Sequence, residues 1–188
     1  MSGRPIDVIS QISAGAKCHF DRHYAFRSLG GFEQPGMLYV ITSNDDRKVR
    51  PSGGGGGGWG GGTDLHLRDA YAKACASAKA PPHLPAPQTP MTEAMWVLEC
   101  KSPVVVHLNF RSDAHLAATM ASRGREGWLS TDGWERNTER ESTVSTGVPN
   151  GPYSGPVFSK AFGADSTVRL MGSNTWEGVY FVFVETQA

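Results

Sequence analysis

Charge of one sign is missing from this chain. Its 188 residues hold 18 Lys+Arg and 18 Asp+Glu, a balance of zero with histidine neutral. Affinity for nucleic acid comes chiefly from clustered Lys and Arg, and docking to an anionic membrane surface needs the same excess. Neither nucleic acid nor membrane is therefore an expected partner. Long apolar runs are missing too, since no stretch approaches the roughly 18 residues that a membrane-spanning helix requires. Near the start, Asp7, Ser10 and Gln11 break up the sequence before an apolar segment of about 7–15 residues can form, so no secretion signal is read. Cysteine is sparse: Cys18, Cys75 and Cys100 are odd in number, far apart and form no CxxC. That usage suits free thiols in a reducing compartment better than a disulfide framework. No Asn-x-Ser/Thr sequon occurs. A cytoplasmic location is the expectation.

Catalytic and ligand-binding signatures are equally scarce. The nucleophile elbow GxSxG does not occur. The glycine run is not followed by Gly-Lys-Ser/Thr, which removes a phosphate-cradling P-loop. Six histidines are present, His19, His23, His66, His83, His107 and His115. None has a partner at zinc spacing on a readable helix. Asn44, Asp45 and Asp46 form an acidic cluster, but two carboxylates fall short of the six or so oxygens that calcium takes. They read as Asx residues capping a strand end. Asp21 and Arg22 read likewise as a structural ion pair fixing strand ends, because no second titrating partner stands beside the carboxylate. The expectation is a chain that is no enzyme and holds no metal or cofactor.

What the sequence does have is β-pattern on both sides of an unusual middle. Residues 51–93 carry nine glycines in the run 53–62 and six of the 12 prolines. Six consecutive glycines lose too much backbone entropy on ordering to belong to a strand or helix. Between the glycines and the Pro-rich stretch 80–90, residues 63–79 are Ala-rich, with Leu67, Tyr71, Cys75 and Ala78 at helical spacing. One short helix is expected there, capped by Thr63 or Asp64. Elsewhere, short runs of β-formers separated by Gly, Asp and Asn predict strands near 17–28, 37–42, 94–100, 104–111, 157–162, 166–171 and 178–185. In VVVHLNFR, Val104, Val106, Leu108 and Phe110 fall on one face and Val105, His107, Asn109 and Arg111 on the other, the period of a half-buried strand. Tyr180, Val182 and Val184 oppose Phe181 and Phe183, so both faces of the last strand are apolar and it should be central. The fold class is all-β: a jelly-roll-like antiparallel β-sandwich forming one domain over 1–188, interrupted by a Gly/Pro-rich insertion at 51–93 with one short helix.

Several segments stand in an order that resembles a known module. GAKCHFDRHY begins at Gly15, LYVITSNDDRK begins at Leu38, and Arg111-Ser112-Asp113, Trp128-Leu129, Ser159-Lys160-x-Phe162 and the closing YFVFV from Tyr180 follow. This succession is similar to the β-sandwich accessory modules attached to secreted polysaccharide lyases and other carbohydrate-active enzymes. Those modules carry an Asp-Arg segment, an Asn-Asp-Asp-Lys segment, a Trp-Leu step, a Ser-Lys-x-Phe strand and a closing Tyr-x-Val strand. The resemblance covers the chain apart from 51–93. It implies a β-sandwich with an accessory, non-catalytic role, and carbohydrate as one candidate ligand.

Candidate binding residues concentrate in 123–153, which holds Trp128, Trp134, Arg136, Arg140 and Tyr153. With Trp176 they are the residue types that anchor protein interfaces, and the same aromatic rings can stack on sugars. Trp128 and Trp134 are also large enough to be core residues. The leading expectation is a non-catalytic intracellular structural or interaction subunit that docks on a larger protein assembly, with a ciliary axoneme or comparable cytoskeletal structure as one host. The alternative is a carbohydrate-binding module. The direction in which those aromatic rings point separates the two.

Overall fold

The structure, a computed structural model, describes residues 7–10, 12–19, 25–42, 94–114, 116, 127–140, 153–172 and 180–187. The expected insertion and its helix, the Asp21–Arg22 pair, the Asn44–Asp46 cluster and Trp176 lie outside these residues. Among the described residues, eight strands form two antiparallel sheets. In chain order they are β1 (Asp7–Ser10), β2 (Met37–Ile41), β3 (Ala94–Cys100), β4 (Val104–Asn109), β5 (Glu135–Asn137), β6 (Val157–Phe162), β7 (Ser166–Met171) and β8 (Phe181–Thr186). The larger sheet runs β1-β2-β8-β4-β6-β5, and β3 pairs with β7 in the smaller one. A four-residue helix, α1 (Trp128–Thr131), precedes β5. The all-β, sandwich-like class read from the sequence is the class of the fold. No helix among the described residues is long and apolar enough to cross a membrane.

Hydrophobic burial fills both sides of the larger sheet. One core lies between it and the β3–β7 pair. Val106 and Leu108 of β4, Phe158 of β6 and Val182 of β8 meet Trp96, Leu98, Val168 and Leu170 there. Residues 96, 98 and 100 of β3 turn inward while Glu99 is exposed, so the small sheet shows the alternation of a one-sided strand pair. The second core covers the opposite face, where Tyr39, Phe181 and Phe183 pack against Cys18, Phe26, Leu29 and Phe32. β8 sits between β2 and β4, the central place its two apolar faces require.

The cover over that second face corrects the expected strand at 17–28. Its described residues make only isolated bridges, Lys17 with Ala25 and His19 with Thr42. Because Lys17 pairs antiparallel with Ala25, the two ends of the segment run in opposite directions and cannot belong to one strand. The chain instead turns on Gly15 (φ 92°) and forms a short 3-10 turn at Gly30–Phe32. It pins itself with paired backbone bonds between Gly15 and Phe26 and between Phe26 and Ala16. The Tyr39 hydroxyl donates to the Cys18 carbonyl from the sheet below. The half-buried period read for β4 is corrected too: His107, edge to face with Phe32, is 2% exposed, and Asn109 is fully buried.

Candidate functional site

Three of the expected surface anchors are core residues. Trp128 and Trp134 are each 5% exposed and pack edge to face on one another at 5.8 Å, with Tyr180 and Phe162 as their further partners. Tyr153 is buried with its ring 4.0 Å from that of Phe181. Rings of this size gain more from burial than from exposure, and each finds an aromatic partner inside. Arg136 stays at the surface, where it pairs with Asp113 at 2.9 Å. Among the described candidates, Arg140 turns toward a polar cluster.

That cluster is assembled by sheet register. His107 of β4 lies directly opposite Ser159 of β6 and opposite Phe183 of β8. Glu185 follows Phe183 by two residues and so shares its face. The Ser159 Oγ is 2.7 Å from His107 Nδ1, and Glu185 Oε2 is 3.2 Å from Nε2. Arg140 donates to Glu185 Oε2 at 2.8 Å, to the Gly31 carbonyl at 2.6 Å and to Gln34 Oε1 at 3.3 Å. It therefore ties the covering layer to the sheet. Its guanidinium also lies over the Phe32 ring, whose edge meets the His107 imidazole.

The hydrogen-bond network assigns the protons. Asn137 Oδ1 accepts from the backbone N–H groups of Glu139 and Arg140, both at 3.0 Å. Since those groups can only donate, the amide nitrogen must face Ser159, to which it donates at 3.0 Å. The Glu185 carboxylate can only accept, so in the neutral ring Nε2 carries the hydrogen and donates to it, and Nδ1 accepts from the Ser159 hydroxyl. Burial lowers the His107 pKa below the ordinary 6.5, and the Arg140 charge lowers it further against the opposing pull of Glu185. The imidazole is neutral at neutral pH, with its free lone pair on the serine side.

An open cleft of about 600 Å³ reaches Ser159 from solvent. Val105 and Ala161 form its small apolar floor, and Glu135, Asn137, Thr138 and Glu139 stand among its polar walls. Neither described cysteine competes as a nucleophile. Burial pushes the Cys18 thiol up to about 12, and that of Cys100 is raised as well. Among the described residues no group of three or more His, Cys, Asp or Glu could hold a metal ion. Sequence reasoning passed over His107, Ser159 and Glu185 because no local motif joins them. The one signal available was a histidine among the Val and Leu residues of β4.

Comparison with protein-family models, with curated proteins and with solved structures finds no match.

The buried imidazole has a consequence for acid stability. The folded chain holds the His107 proton less tightly than the unfolded chain does, so unfolding takes up a proton there once pH falls below 6.5. The stability that the neutral ring supports is present above that pH and drains away as pH drops toward the lowered value. Urea midpoints of the wild type and of His107→Gln should therefore lie furthest apart near pH 7.5 and converge toward pH 5. A constant gap across that range would contradict the assignment.

Proposed function

We propose that this chain is an interaction subunit that docks on a larger protein assembly. The observation that carries the reading is the composition of residues 51–93. Burial of Trp128, Trp134 and Tyr153 takes them out of sugar stacking and out of an interface alike, so it weighs against the carbohydrate-binding alternative without adding to docking. Residues 51–93 carry nine clustered glycines and six prolines, and ordering such a segment is favourable only when a partner surface repays the lost entropy. The strands that precede and follow it in the chain, β2 and β3, belong to different sheets.

Affinity purification of the tagged full chain from its native cell, run beside a glycan array, tests the reading. The expected result is recovery with a partner in fixed stoichiometry and no array signal. Replacing 51–93 with a short Gly/Ser linker should release that partner while leaving the thermal unfolding transition in place. Recovery as a free monomer that binds glycan would overturn the proposal.

A further inference from the structure

We infer that Ser159, His107 and Glu185 form a serine-based acyl-transfer centre that hydrolyses small carboxylic esters at the open cleft beside β5. This goes beyond docking and does not depend on it. The expectation of a non-catalytic chain rested on the lack of local motifs and on the resemblance to an accessory module. A nucleophile, base and orienting acid are recognised by geometry rather than by sequence spacing, and unrelated folds assemble them in different chain orders. Here three adjacent strands contribute one member each, at 2.7 and 3.2 Å. The imidazole is turned the other way round from the serine proteases, with Nδ1 rather than Nε2 toward the hydroxyl, but either ring nitrogen can take a proton.

The surroundings fit the roles. His107 is neutral and buried, so it can accept a proton, and Glu185 holds the Nε2–H that keeps the ring in the required tautomer. Asn137 is fixed through its oxygen by two backbone N–H groups, and its amide nitrogen donates to Ser159 Oγ, which holds that hydroxyl in place beside His107 Nδ1. The cleft sets the substrate class. Val105 and Ala161 offer a small apolar patch for a short acyl chain, and the walls carry Glu135 and Glu139 beside Arg136 and Lys160, a balance that selects no charge.

In the first half-reaction Ser159 Oγ bonds to the acyl carbon as its proton passes to His107 Nδ1. The carbonyl electron pair moves to oxygen. When the carbonyl re-forms, the ester C–O bond breaks, and the leaving oxygen takes the proton from Nδ1 and departs as an alcohol. Water then attacks the acyl-Ser159 carbon and gives its proton to Nδ1. Ser159 Oγ leaves and recovers that proton, releasing the carboxylic acid. No oxidant, metal or further reactant is consumed.

The full-length chain is tested with p-nitrophenyl acetate and, separately, with a fluorophosphonate probe followed by peptide mapping. The expected results are turnover that falls about 100-fold or more in Ser159→Ala and a single phosphonyl adduct on Ser159 in the wild type. Thermal unfolding of Ser159→Ala guards the first readout, and the adduct needs no variant at all. Hydrolysis that is unchanged in Ser159→Ala, together with no adduct on Ser159, would overturn the inference. Failure here leaves the docking experiment unaffected, because one reads the isolated chain and the other its complex.

Discussion

Gly155→Ala is expected to lower stability by about 3 kcal/mol or more, a shift on the order of 10 °C in the unfolding midpoint of a chain this size. A Cβ at this position would lie 2.4 Å from the Ser112 nitrogen and 2.5 Å from both the Phe110 carbonyl oxygen and the Ser112 Cα. All three are backbone atoms, so no rotamer change can relieve the clash. The contact exists because the chain enters β6 alongside the end of β4. Gly155 N–H donates to the Phe110 carbonyl at 3.1 Å, Ser154 to Arg111 at 3.0 Å, and Phe110 to Pro156 at 3.0 Å. Pushing these backbones apart would break that extension of the ladder and shift Phe110, which is fully buried against Phe158 and Tyr180. Gly31→Ala provides the control, since a Cβ there meets nothing within 4 Å. Its midpoint should stay close to that of the wild type. Equal midpoints for the two variants in thermal or urea unfolding would refute the packing argument.

How far the fold was legible depended on whether local pattern and tertiary role coincided. The extents of β3, β6 and β7 follow from runs of β-formers closed by turn residues, such as Gly163 and the left-handed Asp165 (φ 58°) between β6 and β7. The central place of β8 was legible because both of its faces are apolar. β5 was not: Glu135-Arg136-Asn137 carries no β-former and is a strand only because β6 offers it an edge to pair with. The cover over the second sheet face was misread as a strand for a related reason. Its apolar residues are anchors at irregular spacing, and only the sheet beneath them gives that spacing a meaning.

The candidate site was less legible still. Ser159 lies 52 residues from His107 and Glu185 lies 78. What joins them is the register of β4 against β6 and β8, and register is a tertiary quantity. For Trp128 and Trp134 the sequence left burial and exposure both open, and the partners that decide, Tyr180 and Phe162, are contributed by other strands. Arg140 was singled out for its chemical type, and the structure gives it a different task. It joins the covering layer to Glu185 instead of facing outward.

Phe183→Ala is the second large effect, expected to cost about 3–5 kcal/mol as a buried aromatic truncated to a cavity. Phe183 is fully buried in the central strand, with its ring stacked on Phe32 at 4.0 Å and 9° and tilted against Tyr39 at 5.2 Å. Phe32 is the side chain through which the covering layer reaches both the sheet and the Arg140–His107 cluster. Removing its stacking partner should therefore loosen that cover more than it loosens the β3–β7 side, which packs on the other face. Hydrogen exchange can separate the two regions. Protection of the Phe26, Phe32 and Met37 amides should fall well before that of Trp96, Leu98 and Val168 under conditions where most of the protein remains folded. Val8→Ala, at a side chain 51% exposed, should change stability by no more than about 0.5 kcal/mol. If Phe183→Ala instead lost protection uniformly on both faces, the two cores would be a single cooperative unit, and the covering layer would have no stability of its own to lose.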